Sequence, residues 1–178
     1  MKMTTGLLLL GNGVALSLLF VTAYLTRATL RRFLAATIAG LTVSFLMAGV
    51  DALARDLGWW RYPGSTTPYA PVLMYLAAGL WYGAGVALIV WHVTRRFGRR
   101  GLAAFLGIAG ILGPARDYAG AAVTGVIVFA PGIVPLLADA LCWIAGMAAI
   151  QGLMRLIAGP ARGDRLARTS PAASVARA

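Results

Sequence analysis

Long apolar runs alternate with short polar segments along the chain, and each run is long enough to cross a membrane as a helix. A bilayer core about 30 Å thick requires roughly 20 apolar residues in helical form. The runs cover residues 4–26, 33–54, 71–94, 102–130 and 134–158. This pattern predicts an all-α fold, a polytopic membrane helix bundle of about five transmembrane helices.

The two ends of the chain differ in character. The first run carries no charge and is too long for the apolar region of a signal peptide, so we expect it to be retained as a helix. Beyond Gly159-Pro160 the sequence is rich in Arg, Ala and Ser, a composition typical of disorder. We therefore predict a transmembrane helical domain over 1–159 and a disordered cytoplasmic tail over 160–178.

The fourth apolar run is interrupted near its middle by Pro114. Proline lacks the amide hydrogen and clashes with the preceding helical turn. The sequence therefore predicts one long helix over 102–130 that is broken near Pro114. The alternative is a pair of half-helices that meet at a re-entrant turn.

Composition and charge narrow the class of protein. Hydrophobic residues make up 60% of the chain and charged residues 12%, which excludes an ordinary soluble enzyme. Lys and Arg number 16 against five acidic residues, and the arginines cluster at 27–32 and 95–100, between apolar runs. This is the positive-inside pattern. It favours the inner (plasma) membrane with the N-terminus outside, the C-terminus cytoplasmic and no nucleic-acid partner.

Metal and cofactor chemistry has little support in the sequence. There is one cysteine and one histidine, too few for a zinc, haem or iron–sulfur site within one chain. A magnesium site made by aspartates is disfavoured by the neighbouring Arg116. We expect no metal and no cofactor.

Charged residues inside the predicted spans indicate where chemistry would lie. A charge in the bilayer core costs at least about 2.5 kcal/mol on insertion scales, so such residues avoid lipid and find partners. The residues concerned are Asp51, Arg116, Asp117 and Asp139. We predict that they meet near the outer leaflet, with Arg116 paired to Asp51 or Asp139.

Two interpretations of this cluster remain open. In the functional one, Asp51, Asp117 and Asp139 are catalytic candidates, with Asp117 the favoured proton-handling residue. Arg116 and Tyr118 then contact a ligand. In the structural one, the same charges only lock helices together. Three acids against one base favours the functional interpretation.

Aromatic residues supply further ligand-binding candidates. Trp60 and Tyr62 lie in the predicted outer loop, 55–70, where they would form either a membrane-interface belt or an aromatic cover. Trp81 and Tyr82 lie near mid-membrane, where they would line a cavity or simply pack.

A short segment resembles a known family. Asp51, Gly58, Trp60, Tyr62 and a proline that opens the next helix are similar to a helix–loop–helix of membrane carotenoid cyclases of the lycopene cyclase type. The resemblance covers about 25 residues. The acidic pair that follows the proline in that family is missing, because Val72, Leu73 and Met74 stand there. The resemblance therefore implies an isoprenoid-like or lipid ligand without implying cyclase activity.

Three functions follow as hypotheses. The first is binding, and acid–base transformation, of an apolar lipid or isoprenoid ligand within the bilayer. The second is a non-catalytic membrane subunit or scaffold. Its small-residue faces, such as Gly79 and Gly83, would then dock a homo- or hetero-oligomeric partner. The third is a small proton-coupled carrier, which the missing internal repeat disfavours.

Overall fold

The computed structural model describes residues 5–63 and 70–160, except for the side chains at 70 and 71. The predicted tail beyond 160 lies outside the described residues. The elements in chain order are α1 (Thr5–Thr26), α2 (Leu30–Asp56), β1 (Trp60–Arg61), α3 (Ala70–Ala78), a π-helical segment (Gly79–Gly85), α4 (Val86–Thr124), β2 (Val128–Phe129) and α5 (Ile133–Ala158).

The helical surface is that of a membrane protein. Four helical stretches are long and apolar enough to cross a bilayer: α1, α2, α5 and the continuous stretch Val72–Thr124. Large apolar side chains point outward along all of them, as at Leu10, Leu46, Ile111 and Leu156. A water-soluble fold would bury such residues, whereas lipid accommodates them. The all-α prediction is confirmed, and the predicted count of about five spans is not settled by helix length alone.

The 53-residue stretch reverses direction at Gly98. Its backbone there has φ +61° and ψ −139°, a conformation open to glycine and strained for other residues. The Arg116 guanidinium lies 4.1 Å from the centre of the Tyr82 ring. In one straight helix at 1.5 Å per residue these residues would be about 50 Å apart. The parts of the stretch before and after Gly98 therefore run antiparallel.

The predicted break near Pro114 is not confirmed. Pro114 is buried within α4, and the backbone of that helix leaves helical values at Gly98 instead. The proline ring contacts the residue before it, which is Gly113 and carries no Cβ. One source of crowding is therefore absent, and the helix continues through the proline.

The predicted extent of the fourth helix, to residue 130, is wrong. The helix ends at Thr124, and Gly125 follows in the left-handed conformation with φ +64°, a common helix C-cap. The chain then forms β2, which pairs antiparallel with β1, placing Trp60 opposite Phe129. This two-stranded ribbon joins the connection after α2 to the connection before α5.

The core is built around one face of α2. Ala35, Ala36, Ala39 and Val43 lie on that face and are buried. They pack against residues of α4 and α5 such as Leu88 and Met154. Alanine-sized side chains let neighbouring helices come close, as is usual where helices associate within membranes.

Glycines allow a close approach between α2 and the π-helical segment. A Cβ added at Gly83 would be 2.6 Å from Gly40 Cα, and one added at Gly40 would be 2.5 Å from the Gly79 carbonyl oxygen. The Gly79 and Gly83 face, which the scaffold hypothesis assigns to a partner, is thus covered within the chain by Gly40.

Two arginines in the first turn of α2 bind the C-terminus of α5. Arg32 Nη2 donates to the Gly159 carbonyl at 2.6 Å, and Arg31 Nη2 donates to the Ile157 carbonyl at 3.3 Å. The last carbonyls of a helix lack intrahelical partners and carry partial negative charge. Arg31 and Arg32 of the first basic cluster therefore stabilise the fold.

Candidate functional site

A cavity of about 740 Å³ extends into the bundle from the end where the β1–β2 ribbon lies. All three span carboxylates and the Arg116 guanidinium line it. They meet at one end because α2 finishes there, α5 begins there, and the second half of α4 runs toward it. The volume lies within the range of small-molecule sites.

Asp51 is surrounded by neutral hydrogen-bond donors. Trp60 Nε1 donates to Oδ1 at 2.9 Å, and the Tyr75 hydroxyl donates to Oδ2. The Tyr62 hydroxyl lies farther from Oδ2, at 3.4 Å. Donors from β1 and α3 thus hold the Asp51 carboxylate in place.

The aromatic residues Trp60 and Tyr62, which follow α2, line the cavity beside Asp51. Trp60 is 5% exposed, so it is enclosed by protein and does not belong to an interface belt. Burial, and next to it the Asp51 charge, raise the pKa of the Tyr62 hydroxyl above its ordinary value. The hydroxyl therefore remains protonated, and able to donate, at neutral pH.

Arg116 pairs with its sequence neighbour, contrary to the prediction that it would pair with Asp51 or Asp139. Arg116 Nη1 lies 3.0 Å from Asp117 Oδ1. A long flexible side chain can turn back across a helical step that short side chains cannot span. Trp143 Nε1 donates to Asp117 Oδ2 at 2.8 Å. The guanidinium also lies over Tyr82, which makes an edge-on contact with Trp143.

Asp139 differs from the other two acids. Its side chain is 7% exposed, and Oδ2 has no hydrogen-bond partner among the described residues. A buried carboxylate oxygen without a donor is costly. Since Asp139 lines the cavity, a small rotation of its carboxylate would turn this shielded oxygen toward a donor on an occupant.

The rest of the cavity wall is mostly apolar. On α5 the wall runs from Asp139 to Ile150, about 16 Å along the helix axis at 1.5 Å per residue. Gly146 lies between them, is buried, and a Cβ added to it would meet nothing within 4 Å. The cavity is therefore elongated, with a charged end and an apolar end.

The structure brings most of the predicted site residues to the lining of one cavity. Besides the four charged residues, these are Trp60, Tyr62, Trp81 and Tyr82. Tyr118 is placed differently: it stacks on Phe129, with ring centres 4.0 Å apart, and does not line the cavity.

Sequence reasoning did not select Tyr75 or Trp143 as site residues. Trp143 follows Asp139 by four positions and so shares its face of α5, a signal that was open to use. The contact between Tyr75 and Asp51 leaves no sequence signal, because it depends on how α2 and α3 pack.

A metal site has no geometric support. Within residues 5–63 and 70–160, no three His, Cys, Asp or Glu side chains come together closely enough to hold an ion. The three carboxylates are spread around the cavity and do not converge on one point.

No protein family model, curated protein or solved structure matches this chain. The resemblance to carotenoid cyclases therefore remains limited to the short segment around Asp51.

Proposed function

We propose that the protein binds an apolar lipid or isoprenoid ligand in this cavity, with the polar end of the ligand at Asp139. The observation that carries the proposal is the cavity's division into two ends. One end is lined by apolar side chains, which include Leu18, Val43 and Met147, and the other end is lined by carboxylates. Such a site matches an amphiphile, whose chain gains by leaving water and whose head needs a hydrogen-bond partner.

The proposal predicts that filling the apolar part of the cavity weakens binding. In Gly146→Leu the new side chain would project into the open space beside Gly146. We expect the affinity for geranylgeraniol, a C20 isoprenoid alcohol, to fall by about tenfold or more, since the lost apolar contacts are worth about 1.5 kcal/mol or more. Binding is measured by tryptophan fluorescence in phosphatidylcholine nanodiscs, because Trp60, Trp81 and Trp143 line the cavity.

Gly152→Leu is the matched control. Gly152 lies on the same helix, is exposed, has nothing within 4 Å of its Cβ position and does not line the cavity. We expect this variant to bind like the wild type. The proposal is wrong if the wild type binds no C20 isoprenoid above empty nanodiscs, whatever its head group, or if Gly146→Leu binds as well as the wild type and the control do.

A structural lock is the second candidate, and specific contacts favour it. Trp60 bonded to Asp51 ties β1 to α2, and Trp143 bonded to Asp117 ties α5 to α4. In that case the cluster serves packing alone. Asp139 separates the two functions, because it has no such bond through Oδ2.

The finer topology is also a proposal. With the reversal at Gly98 the chain would cross the inner membrane five times. The Gly98 turn and the C-terminus would be cytoplasmic, and the acidic end of the cavity would face outward. The arginines on both sides of Gly98 support this orientation.

Cysteine labelling tests the orientation. In a Cys142→Ser background, we expect Leu57→Cys to react with a membrane-impermeant maleimide on intact cells. Arg96→Cys should react only after the membrane is permeabilised. Both positions are exposed. Labelling of position 96 from outside, or no labelling there after permeabilisation, would contradict the five-span arrangement.

A further inference from the structure

We infer that the ligand's polar head is an organic cation, an amine or ammonium group bound between the Asp139 carboxylate and the aromatic wall. This inference rests on the proposed function and names the class of ligand for the same cavity. Its basis is a surplus of carboxylate combined with a buried acceptor that has no donor.

The charge balance of the cavity is negative. Arg116 and Asp117 form the one ion pair within 5–63 and 70–160. Asp51 receives its hydrogen bonds from tryptophan and tyrosine, which are neutral donors. Asp139 has neither a cation nor a donor at Oδ2. A charged group in a membrane interior is stabilised strongly by an opposite charge, so a cationic head has the most to gain at Asp139.

The wall already holds one cation in the way proposed for the ligand. The Arg116 guanidinium sits over Tyr82 and also lies 5.6 Å from the centre of the Trp143 ring, while its Nη1 contacts Asp117. Aromatic faces attract cations most strongly where water is excluded. Trp143 is four positions from Asp139 on α5, so the two side chains share a helix face.

The same charges disfavour an anionic head. A diphosphate or carboxylate would find a single guanidinium that is already paired, and it would face Asp51 and Asp139. Like charges at short range cost several kcal/mol in a site of low dielectric constant. A neutral hydroxyl head lies between these cases, because it can bond Asp139 without compensating its charge.

Three ligands with one C20 chain and different heads test the inference: geranylgeranylamine, geranylgeraniol and geranylgeranyl diphosphate. The amine is protonated at pH 7. We expect it to bind about tenfold or more tightly than the alcohol, the difference expected of one charge-assisted hydrogen bond. The diphosphate should bind weakest. All three are titrated in neutral phosphatidylcholine nanodiscs, with empty nanodiscs subtracted.

Asp139→Asn should weaken amine binding by about tenfold or more and alcohol binding by less, so that most of the amine's advantage over the alcohol is lost. Asp56→Asn is the matched control, because Asp56 is exposed at the end of α2 and does not line the cavity. It should keep the advantage. If the alcohol or the diphosphate binds as tightly as the amine, or if Asp139→Asn keeps the full advantage, the inference is wrong and the binding function stands. If none of the three binds, the proposed function itself fails.

Discussion

Gly40→Ala should lower the melting temperature of the purified protein, whereas Gly49→Ala, on the same helix, should leave it unchanged or raise it. A Cβ at Gly40 meets the Ala84 backbone nitrogen as well as the Gly79 carbonyl oxygen. Backbone atoms cannot rotate away as a side chain does, so α2 and the π-helical segment must separate. Overpacking of this kind costs about 1–3 kcal/mol.

The control defines what the result means. A Cβ at Gly49 meets nothing within 4 Å, and replacing a helical glycine with alanine gains up to about 1 kcal/mol in helix propensity. The two variants carry the same chemical change, so the difference between their melting temperatures in one detergent isolates the close approach. Equal melting temperatures would show that α2 and the π-helical segment are not packed as described.

Gly113→Ala is expected to disturb the site by displacing the Trp143 ring. A Cβ at Gly113 would overlap the Trp143 indole ring, lying 2.5 Å from Cδ1. Moving the ring removes the Nε1 donor from Asp117. We expect a loss of about 1–3 kcal/mol in stability from overpacking, together with a shift in tryptophan emission. Gly107→Ala, on the same helix with open space around its Cβ position, should show neither change.

A double variant identifies the route of the effect. If Gly113→Ala acts through the Trp143–Asp117 bond, Asp117→Asn will already have weakened that bond. The combined loss of stability should then be smaller than the sum of the two single losses. Strictly additive losses, or an unchanged emission spectrum in Gly113→Ala, would contradict the described contact between Trp143 and Asp117.

The sequence was sufficient to predict which charged residues gather at one end of the bundle. Helices joined by short connections alternate in direction, so the positions of Asp51 and Asp139 near helix ends place them on the same side. The arginine clusters at 27–32 and 95–100 lie at the other end of these helices. Periodicity and charge therefore carry the coarse position of the site.

The partner of each charge could not be predicted in the same way. Arg116 was expected to reach another helix, yet it turns back to Asp117 because Tyr82 offers its guanidinium an aromatic face. The Tyr75–Asp51 bond depends on the rotation of α3, which the glycine contact with α2 fixes. Side-chain pairing follows helix rotation, which apolar periodicity determines only weakly when a helix is apolar on all sides.

The breaks in α4 show how local context overrides a single residue type. Pro114 is the stronger breaker by propensity, yet small residues around it let the helix continue. Glycine is tolerated in many membrane helices, yet here Gly98 adopts a backbone conformation that reverses the direction of the chain. The arginines on both sides of Gly98 were the informative signal, because charged side chains favour water over the bilayer core.

The arginine cap on α5 has a consequence for assembly. Arg32 is enclosed by protein, and its Nη2 reaches a carbonyl group that is synthesised 127 positions later. The Arg32 guanidinium on α2 therefore gains this carbonyl partner only after α5 has been synthesised and has packed against α2. Folding of this bundle should be completed by this contact between an early and a late helix. A chain whose synthesis stops before α5 should therefore leave α2 without one of its stabilising contacts.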